Sequence, residues 1–239
     1  MTFTVSRAGL ALLACLVATT ANAQSGDQPL SAFAKAKAES LLRDHLPCLG
    51  CHTLAGEGGK IGPDLTTVRE RRSAAYIAAM IADPQATVPG SVMPRTEMPA
   101  ATRELISRYF ASRPGTAVAE PSIPRPPSPV ASPADGPALY ARWCAACHGE
   151  RGGGDGPNAA SLPVKPSAHA SREAMSTRPD DSLYDTIAAG GTVMNRSPRM
   201  PAFGATLSPA EIRALVRHIR TLCRCEGPGW SRPPAPGGR

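Results

Sequence analysis

The sequence predicts a mainly helical protein built from two similar units. Apolar residues recur at helical spacing near the C-terminus, as at Ile212, Leu215 and Ile219. One order of features occurs twice: a helix, a five-residue cysteine motif, a Gly/Pro-rich loop, a Met-Pro pair and a closing helix. Between the two copies, residues 114–134 are rich in proline, which cannot form helix interior or a sheet ladder. The two units are therefore expected to be joined by an extended linker.

The spacing of apolar residues predicts four helices, over residues 30–45, 102–112, 136–147 and 209–222. The apolar side of the first is formed by Phe33, Ala34, Ala38, Leu41 and Leu42. In the third, Asp135 is expected to cap the N-terminus and Pro137 to occupy the first turn. The apolar side of this third helix consists of Leu139, Tyr140 and Trp143.

Residues 1–23 have the features of a cleaved signal peptide. Arg7 supplies a positive charge, Gly9–Ala18 is apolar, and small residues suited to cleavage follow. The apolar run is about half of the ~20 residues that a membrane span needs. The mature chain is therefore expected to begin at Gln24, to be periplasmic and to contain no transmembrane segment. Lipid anchoring at Cys15 is the alternative.

The predicted organisation assigns residues 24–113 to the first unit and 135–226 to the second, followed by a disordered tail over 227–239. Aromatic residues make up 4% of the chain, and small domains poor in aromatics struggle to build a stable core. A large apolar cofactor that binds only the folded state would supply the missing stability.

Two motifs, Cys48–His52 and Cys144–His148, share the pattern Cys-x-x-Cys-His, the attachment signature of c-type haem. Two cysteines on one helical turn can each form a thioether with a haem vinyl group, and the histidine then binds the iron. The predicted attachment residues are Cys48, Cys51, Cys144 and Cys147, and the predicted proximal ligands are His52 and His148. A bare Cys-x-x-Cys would also suit a thioredoxin-like pair or a zinc site, but the repeated histidine favours haem.

Each unit offers two methionines as the sixth iron ligand. Met93 and Met200 lie the same number of residues before the first acidic residue of the closing helix, and both precede proline. Met98 also precedes proline but lies closer to its helix, whereas Met194 precedes asparagine. Repeat alignment therefore selects Met93 and Met200, with core packing as the alternative role of any lone methionine.

These motifs carry a family resemblance. Both units resemble class I cytochrome c domains, and the chain resembles soluble dihaem cytochromes c of bacterial periplasms. The resemblance lies in GCHTLAGEGGKIGPDL at Gly50–Leu65 and CAACHGERGGGDGP at Cys144–Pro157. The second string is similar to a variant found in cytochrome subunits of respiratory complexes. The resemblance implies an all-α fold of two tandem domains, each a small helical bundle around one covalent haem c.

The resemblance also implies that a backbone carbonyl of a Gly-Pro loop accepts a hydrogen bond from each proximal histidine. Pro63 matches this position for His52. For His148 the candidates remain open, because three prolines lie within range: Pro157, Pro163 and Pro166.

Other histidines and cysteines receive weaker assignments. His45 is expected on the surface of the first helix, His169 in a polar loop, and His218 at the edge of an apolar stripe, none of them binding iron. For Cys223 and Cys225 a local disulfide, an intermolecular link and a pair of surface thiols remain open.

With both irons ligated by His and Met, no coordination position is open to a substrate. The predicted function is a periplasmic electron carrier between redox proteins of a respiratory chain, and not an enzyme. One alternative is a cytochrome subunit of a larger membrane-associated oxidoreductase complex. The other is a dihaem peroxidase, which would need a labile sixth position.

The net charge of +7 favours an acidic redox partner or an anionic surface, and no nucleic-acid-binding motif is present. Arg213, Arg217 and Arg220 fall on one helical stripe, which is expected to be exposed. A docking site for an acidic partner and a simple solvated helix face are both compatible with that stripe.

Overall fold

The structure is a computed structural model that describes residues 29–115 and 135–231. The predicted signal peptide (1–23), the alternative anchor at Cys15, most of the predicted linker and the end of the predicted tail lie outside the described residues.

Residues 29–115, called here the N-terminal part, contain four α-helices and a short hairpin. The helices are α1 (Ala32–Ser40), α2 (Ala74–Ala82), α3 (Pro84–Thr87) and α4 (Ala100–Ala111), and α1 continues as a π-helical turn over Leu41–His45. The antiparallel strands are β1 (Thr53–Leu54) and β2 (Glu57–Gly58). Their two-residue turn, Ala55-Gly56, has φ values of 52° and 85°. Paired positive φ angles match the twist of a tight hairpin, which the predicted all-α fold did not include.

Residues 135–231, called here the C-terminal part, contain five α-helices. They are α5 (Gly136–Trp143), α6 (Ala145–His148), α7 (Arg172–Ser176), α8 (Asp180–Val193) and α9 (Pro209–Cys223). Helix α9 begins with a capping box, in which Ser208 and Glu211 each accept a hydrogen bond from the other's backbone N–H. All four predicted helices are therefore present, with small shifts at their ends and a break inside the third.

Each part has its own hydrophobic core. Helix α4 packs on α1 and α2 in the N-terminal part, and α9 packs on α5 and α8 in the C-terminal part. The largest fully buried side chains of the first core are Leu42, Leu49 and Ile106, and those of the second are Tyr140, Met175, Ile212 and Leu215. The described residues are thus mostly helical and form two separate apolar clusters.

Several local expectations were wrong. Phe33 is 78% exposed, because it lies in the first turn of α1, ahead of the part that reaches the core. The Asp135 side chain makes no capping hydrogen bond to α5. The third predicted helix breaks at Cys144, whose φ of −116° ends α5. The predicted disordered tail begins with an ordered 3₁₀ turn, Gly229–Ser231.

The expected exposed arginine stripe on α9 is interrupted. Arg213 and Arg217 are exposed, but the Arg220 side chain is only 13% exposed. Its Nε donates to Asp180 Oδ1 at 2.7 Å, and its terminal nitrogens donate to the carbonyls of Met175 and Arg178. Arg220 therefore connects α9 to the end of α7, to Arg178 in the segment that follows it, and to the start of α8.

Within residues 29–115 and 135–231, none of the helices is both long and apolar enough to cross a membrane.

Candidate haem-binding site

The first motif forms a tight turn. Residues Pro47–Gly50 are a 3₁₀ helix, and the backbone N–H of His52 donates to Cys48 O at 3.0 Å. The His52 Nδ1 lies 2.7 Å from Pro63 O. A carbonyl can only accept, so Nδ1 carries the proton and Nε2 keeps its lone pair for a metal. The expected Gly-Pro carbonyl is therefore confirmed at Pro63.

Gly62 fits closely against the same imidazole. A Cβ at this position would lie 2.6 Å from Cε1 and 2.7 Å from Nδ1 of His52. The Gly62 N–H donates to Cys51 O at 2.8 Å, which holds the loop against the motif. The absence of a side chain at Gly62 thus permits the hydrogen bond between His52 and Pro63.

The second motif has the same arrangement on different elements. The His148 backbone N–H donates to Cys144 O at 2.9 Å, and its Nδ1 lies 2.9 Å from Ser167 O. The acceptor is thus none of the three candidate prolines but the residue after Pro166. Both proximal histidines have their Nδ1 bound by a backbone carbonyl, which orients Nε2 for ligation.

The four motif cysteines are free of disulfides. Burial raises the pKa of the Cys48 thiol to about 11 and that of Cys144 to about 12. Burial also raises the pKa of Cys51 to about 12, with a smaller contribution from the Cys147 thiol of the other motif. A thioredoxin-like pair depends on a lowered thiol pKa, so these environments favour the haem interpretation.

Burial has the opposite effect on the two proximal histidines. It lowers the pKa of His52 and of His148, although each hydrogen bond to a backbone carbonyl partly opposes this shift. The lowered pKa values favour the neutral imidazole, which is the form that binds a metal.

His169 is the site residue that the sequence did not reveal. It was expected in a polar loop, but it is buried and stacks on the His148 ring with centroids 4.0 Å apart. The Tyr140 hydroxyl lies 3.0 Å from its Nδ1. Burial, then the nearby His148, holds the His169 pKa well below its usual value. The two histidines meet only through the folding of the loop after α6, so no local pattern could have indicated this contact.

The structure places Met200 beside the second motif's core. The Met200 carbonyl accepts a hydrogen bond from Gly191 N–H at 2.9 Å, and its side chain packs against the C-terminal core. Gly190, the residue before Gly191, has a φ of 79°, which interrupts the regular helical geometry of α8. Met194 follows the end of α8 and is partly exposed.

In the N-terminal part the two methionines have different surroundings. Met98 packs against the hydrophobic core just before α4. Met93 lies in the preceding loop, where its N–H donates to Ser91 Oγ at 3.1 Å and its carbonyl accepts from Gln85 Nε2. Met98 and Met200 therefore both pack against a hydrophobic core, whereas Met93 is held through its own backbone N–H and carbonyl.

Cys223 and Cys225 form a disulfide at the end of α9, with Cα atoms 5.1 Å apart. Of the three arrangements left open by the sequence, the structure shows the local one. Both cysteines are buried against the C-terminal core.

The residues present fit a covalently attached haem. Each motif offers two unpaired cysteines and a neutral imidazole whose Nε2 is free to bind iron. The Arg199 Nε, next to Met200, is buried without a hydrogen-bond partner in the described part of the chain. The bare polypeptide therefore leaves a donor that a bound group can satisfy.

The geometry of the two motifs suits covalently attached haem, and a comparison with protein families agrees for the second motif. Residues 131–219 match the family described as cytochrome c oxidase, cbb3-type, subunit III. Residues 131–219 thus have the pattern of a c-type cytochrome domain, a kind of domain whose cofactor is haem c with its iron.

Two solved structures are similar to the chain. One is titled KustC0563 c-type cytochrome, with 27% identity, a TM-score of 0.31, and coverage of 37% of this chain and 96% of that one. The other is the Kuenenia stuttgartiensis reducing HAO-like protein complex Kustc0457/Kustc0458, with 19% identity, a TM-score of 0.31, and coverage of 81% and 97%. Both TM-scores are too low to support an argument about arrangement. No curated protein matches the chain.

Replacing Gly62 with alanine should displace the His52 ring, because the new Cβ would overlap it. We expect Gly62→Ala to lower haem attachment at the first motif, measured by mass spectrometry of peptides containing Cys48–His52. Attachment at Cys144–His148 in the same molecule is the internal control. Equal attachment at both motifs would contradict the close fit described for Gly62.

Proposed function

We propose that this protein is an exported dihaem cytochrome c that carries single electrons between redox proteins of a respiratory chain. The observation that carries the proposal is the repeated geometry of the two motifs, each with free cysteines and a histidine Nδ1 held by a backbone carbonyl. Haem is attached through Cys48 and Cys51 in one domain and through Cys144 and Cys147 in the other. The protein is an electron-transfer protein and not an enzyme.

Bound haem supplies an iron that cycles between ferric and ferrous states. The chain's own residues set its surroundings. His52 and His148 bind the irons through Nε2, and the carbonyls of Pro63 and Ser167 keep these rings in one orientation. Met93 and Met200 provide sulfur as the sixth ligands, which leaves no position for substrate.

Two covalent haems should be found on the mature protein. Mass spectrometry after acid–acetone extraction should show two haem additions, because thioethers survive conditions that remove ligated haem b. The matched controls are two double variants. One replaces Cys48 and Cys51 with alanine, the other replaces Cys144 and Cys147 with alanine, and each should leave one haem addition. A single addition on the unmodified chain would exclude the dihaem proposal.

A second candidate is a cytochrome subunit of a larger oxidoreductase complex. The match of residues 131–219 to a family described as a subunit of cbb3-type cytochrome c oxidase favours it. Purification under mild conditions distinguishes the two. A free carrier elutes alone, whereas a subunit co-purifies with other polypeptides in fixed ratio.

We propose a periplasmic location after removal of residues 1–23. Covalent haem attachment in bacteria takes place outside the cytoplasm, and the local disulfide Cys223–Cys225 is compatible with an oxidising compartment. N-terminal sequencing of the mature protein should begin at Gln24. A lipid-modified Cys15 as the first residue would support the anchored alternative instead.

A further inference from the structure

A buried asparagine joins the two haem-attachment loops. Asn158 is 1% exposed, and its Nδ2 donates to Gly50 O at 2.7 Å while its Oδ1 accepts from Lys60 N–H at 2.8 Å. Both partners are backbone groups with fixed roles, so they define the orientation of the amide. The Asn158 amide therefore uses both its nitrogen and its oxygen to bind backbone groups of the N-terminal part.

The same residue is also attached to its own motif. The Asn158 backbone N–H donates to Ala146 O at 2.9 Å, and its Nδ2 lies 3.4 Å from Cys147 Sγ. Gly50 stands between the two cysteines of the first motif, and Ala146 between those of the second. One side chain thus spans the two attachment motifs, although they are far apart in sequence.

Two glycines allow the loops to meet at this distance. A Cβ at Gly50 would overlap the carbonyl oxygen of Arg199, the residue directly before Met200. A Cβ at Gly59 would lie 2.5 Å from Gly50 O and 2.9 Å from both polar atoms of the Asn158 side chain. We call Gly50, Gly59, Lys60, Asn158 and Arg199 the inter-loop contact.

Further hydrogen bonds support this packing at its edges. The Arg199 Nη1 donates to Leu42 O at 3.2 Å, and the Thr192 hydroxyl donates to His45 O at 3.1 Å. The Arg199 hydrogen bond is part buried and belongs to the inter-loop contact, whereas the Thr192 hydrogen bond is exposed and lies outside it. Thr192 therefore offers a matched control for any variant of Asn158.

We propose that the inter-loop contact is the electron path between the two haem sites, and that Asn158 is the positioning residue that fixes it. This inference rests on the proposed dihaem function. One electron leaves the ferrous iron at one site and reduces the ferric iron at the other, so no proton moves and no bond changes. From Cys51 of the first motif the path leads to Gly50, where it divides. One branch passes through Arg199 to Met200, and the other passes through Asn158 to Cys147.

Electron transfer between the two sites depends on the distance between them and on how well ordered the intervening atoms are. Electron tunnelling weakens steeply across gaps, and packed, hydrogen-bonded atoms carry it better than water-filled space. A buried amide whose hydrogen bonds are all satisfied also holds one arrangement, since any shift would leave a buried polar group unpaired. The inter-loop contact therefore keeps the two attachment motifs in a single relative position.

The experiment compares Asn158→Leu, Asn158→Asp and Thr192→Val in the full-length protein with haem attached. Asn158→Leu keeps approximate volume but removes both inter-loop hydrogen bonds, and Asn158→Asp keeps only the acceptor for Lys60 N–H. Two signals report on the contact: the exciton couplet of two nearby haems in Soret circular dichroism, and the rate of equilibration between haems after photoreduction of one.

We expect Asn158→Leu to equilibrate several-fold more slowly and to lose much of the couplet. Asn158→Asp should be intermediate, and Thr192→Val unchanged. An unchanged rate and couplet in Asn158→Leu, with two haems attached, would overturn the inference. If Asn158→Leu does not acquire haem, the unmodified protein provides the test. The absence of an exciton couplet in that protein would equally overturn the inference.

Gly50→Ala gives an independent steric test. It changes the first motif to CLACH, and alanine already occupies the corresponding place, Ala146, in the second motif, so attachment chemistry is preserved. The added Cβ must push Arg199 away. We expect two haems with slowed equilibration. Two haems with an unaltered rate would contradict the path, whereas fewer than two haems on the unmodified protein would instead disprove the dihaem function.

Discussion

Replacing Met200 with alanine should remove about half of the weak near-infrared band of sulfur–iron ligation and lower one of the two reduction potentials. The reason is that a thioether ligand raises the potential of haem iron, and its loss leaves a weaker or oxygen-based ligand. Because Gly191 N–H already holds the Met200 backbone, the substitution should leave the loop in place. Potentiometric titration and near-infrared absorption of the oxidised protein measure both effects.

Met93→Ala should have the same effect on the other haem, and the double variant should lose the band entirely. The matched controls are Met194→Ala and Met98→Ala, which should retain the full band. Met98→Ala should instead reduce stability, because Met98 packs against the N-terminal core. Loss of half the band in Met98→Ala, with Met93→Ala unaffected, would show that the repeat alignment chose the wrong methionine.

Arg220→Ala should lower the free energy of unfolding by about 2–4 kcal/mol, since removing a charged donor leaves buried carbonyls unsatisfied. The side chain is 13% exposed and bonds Asp180 together with the carbonyls of Met175 and Arg178. Urea denaturation followed by far-ultraviolet circular dichroism measures the change.

Arg217→Ala is the control, because Arg217 is exposed on the same helix and should change stability by less than about 0.5 kcal/mol. Equal losses in the two variants would mean that Arg220 contributes only surface charge. Because the Arg220 side chain is mostly buried, Arg213 and Arg217 are the exposed arginines of α9 that remain available to a partner of the proposed electron carrier.

The candidate haem-attachment residues could be predicted from the sequence because covalent haem attachment needs its ligands within one helical turn. Cys48–His52 and Cys144–His148 are such local patterns, and the carbonyl of Pro63 was predictable from its place in a Gly-Pro loop. The helix before each motif and the closing helix of each part were predictable for a similar reason, because their apolar spacing, as on α9, indicates one buried face. Helices α2, α3, α7 and α8 were not predicted, since the segments that contain them were expected to be irregular loops.

The sequence did not predict in the same way which side chains on a helix are buried and which are exposed. Arg220 belongs to the same sequence stripe as Arg213 and Arg217, but carbonyls from another segment draw it into a buried position. Phe33 has the spacing of a core residue, yet α1 begins before the core does. Apolar periodicity predicts a helix and its apolar side, but it does not predict which other segments pack against that helix.

The sequence by itself thus determined the candidate attachment motifs, the candidate proximal histidines and the helices that precede each motif and close each part, since each depends on residues close together in the chain. Only the tertiary structure decided that Ser167 orients His148, that His169 stacks on it, and that Asn158 reaches Gly50. These contacts join residues that are brought together when apolar faces are buried. Their geometry depends on how the segments pack, which no local pattern records.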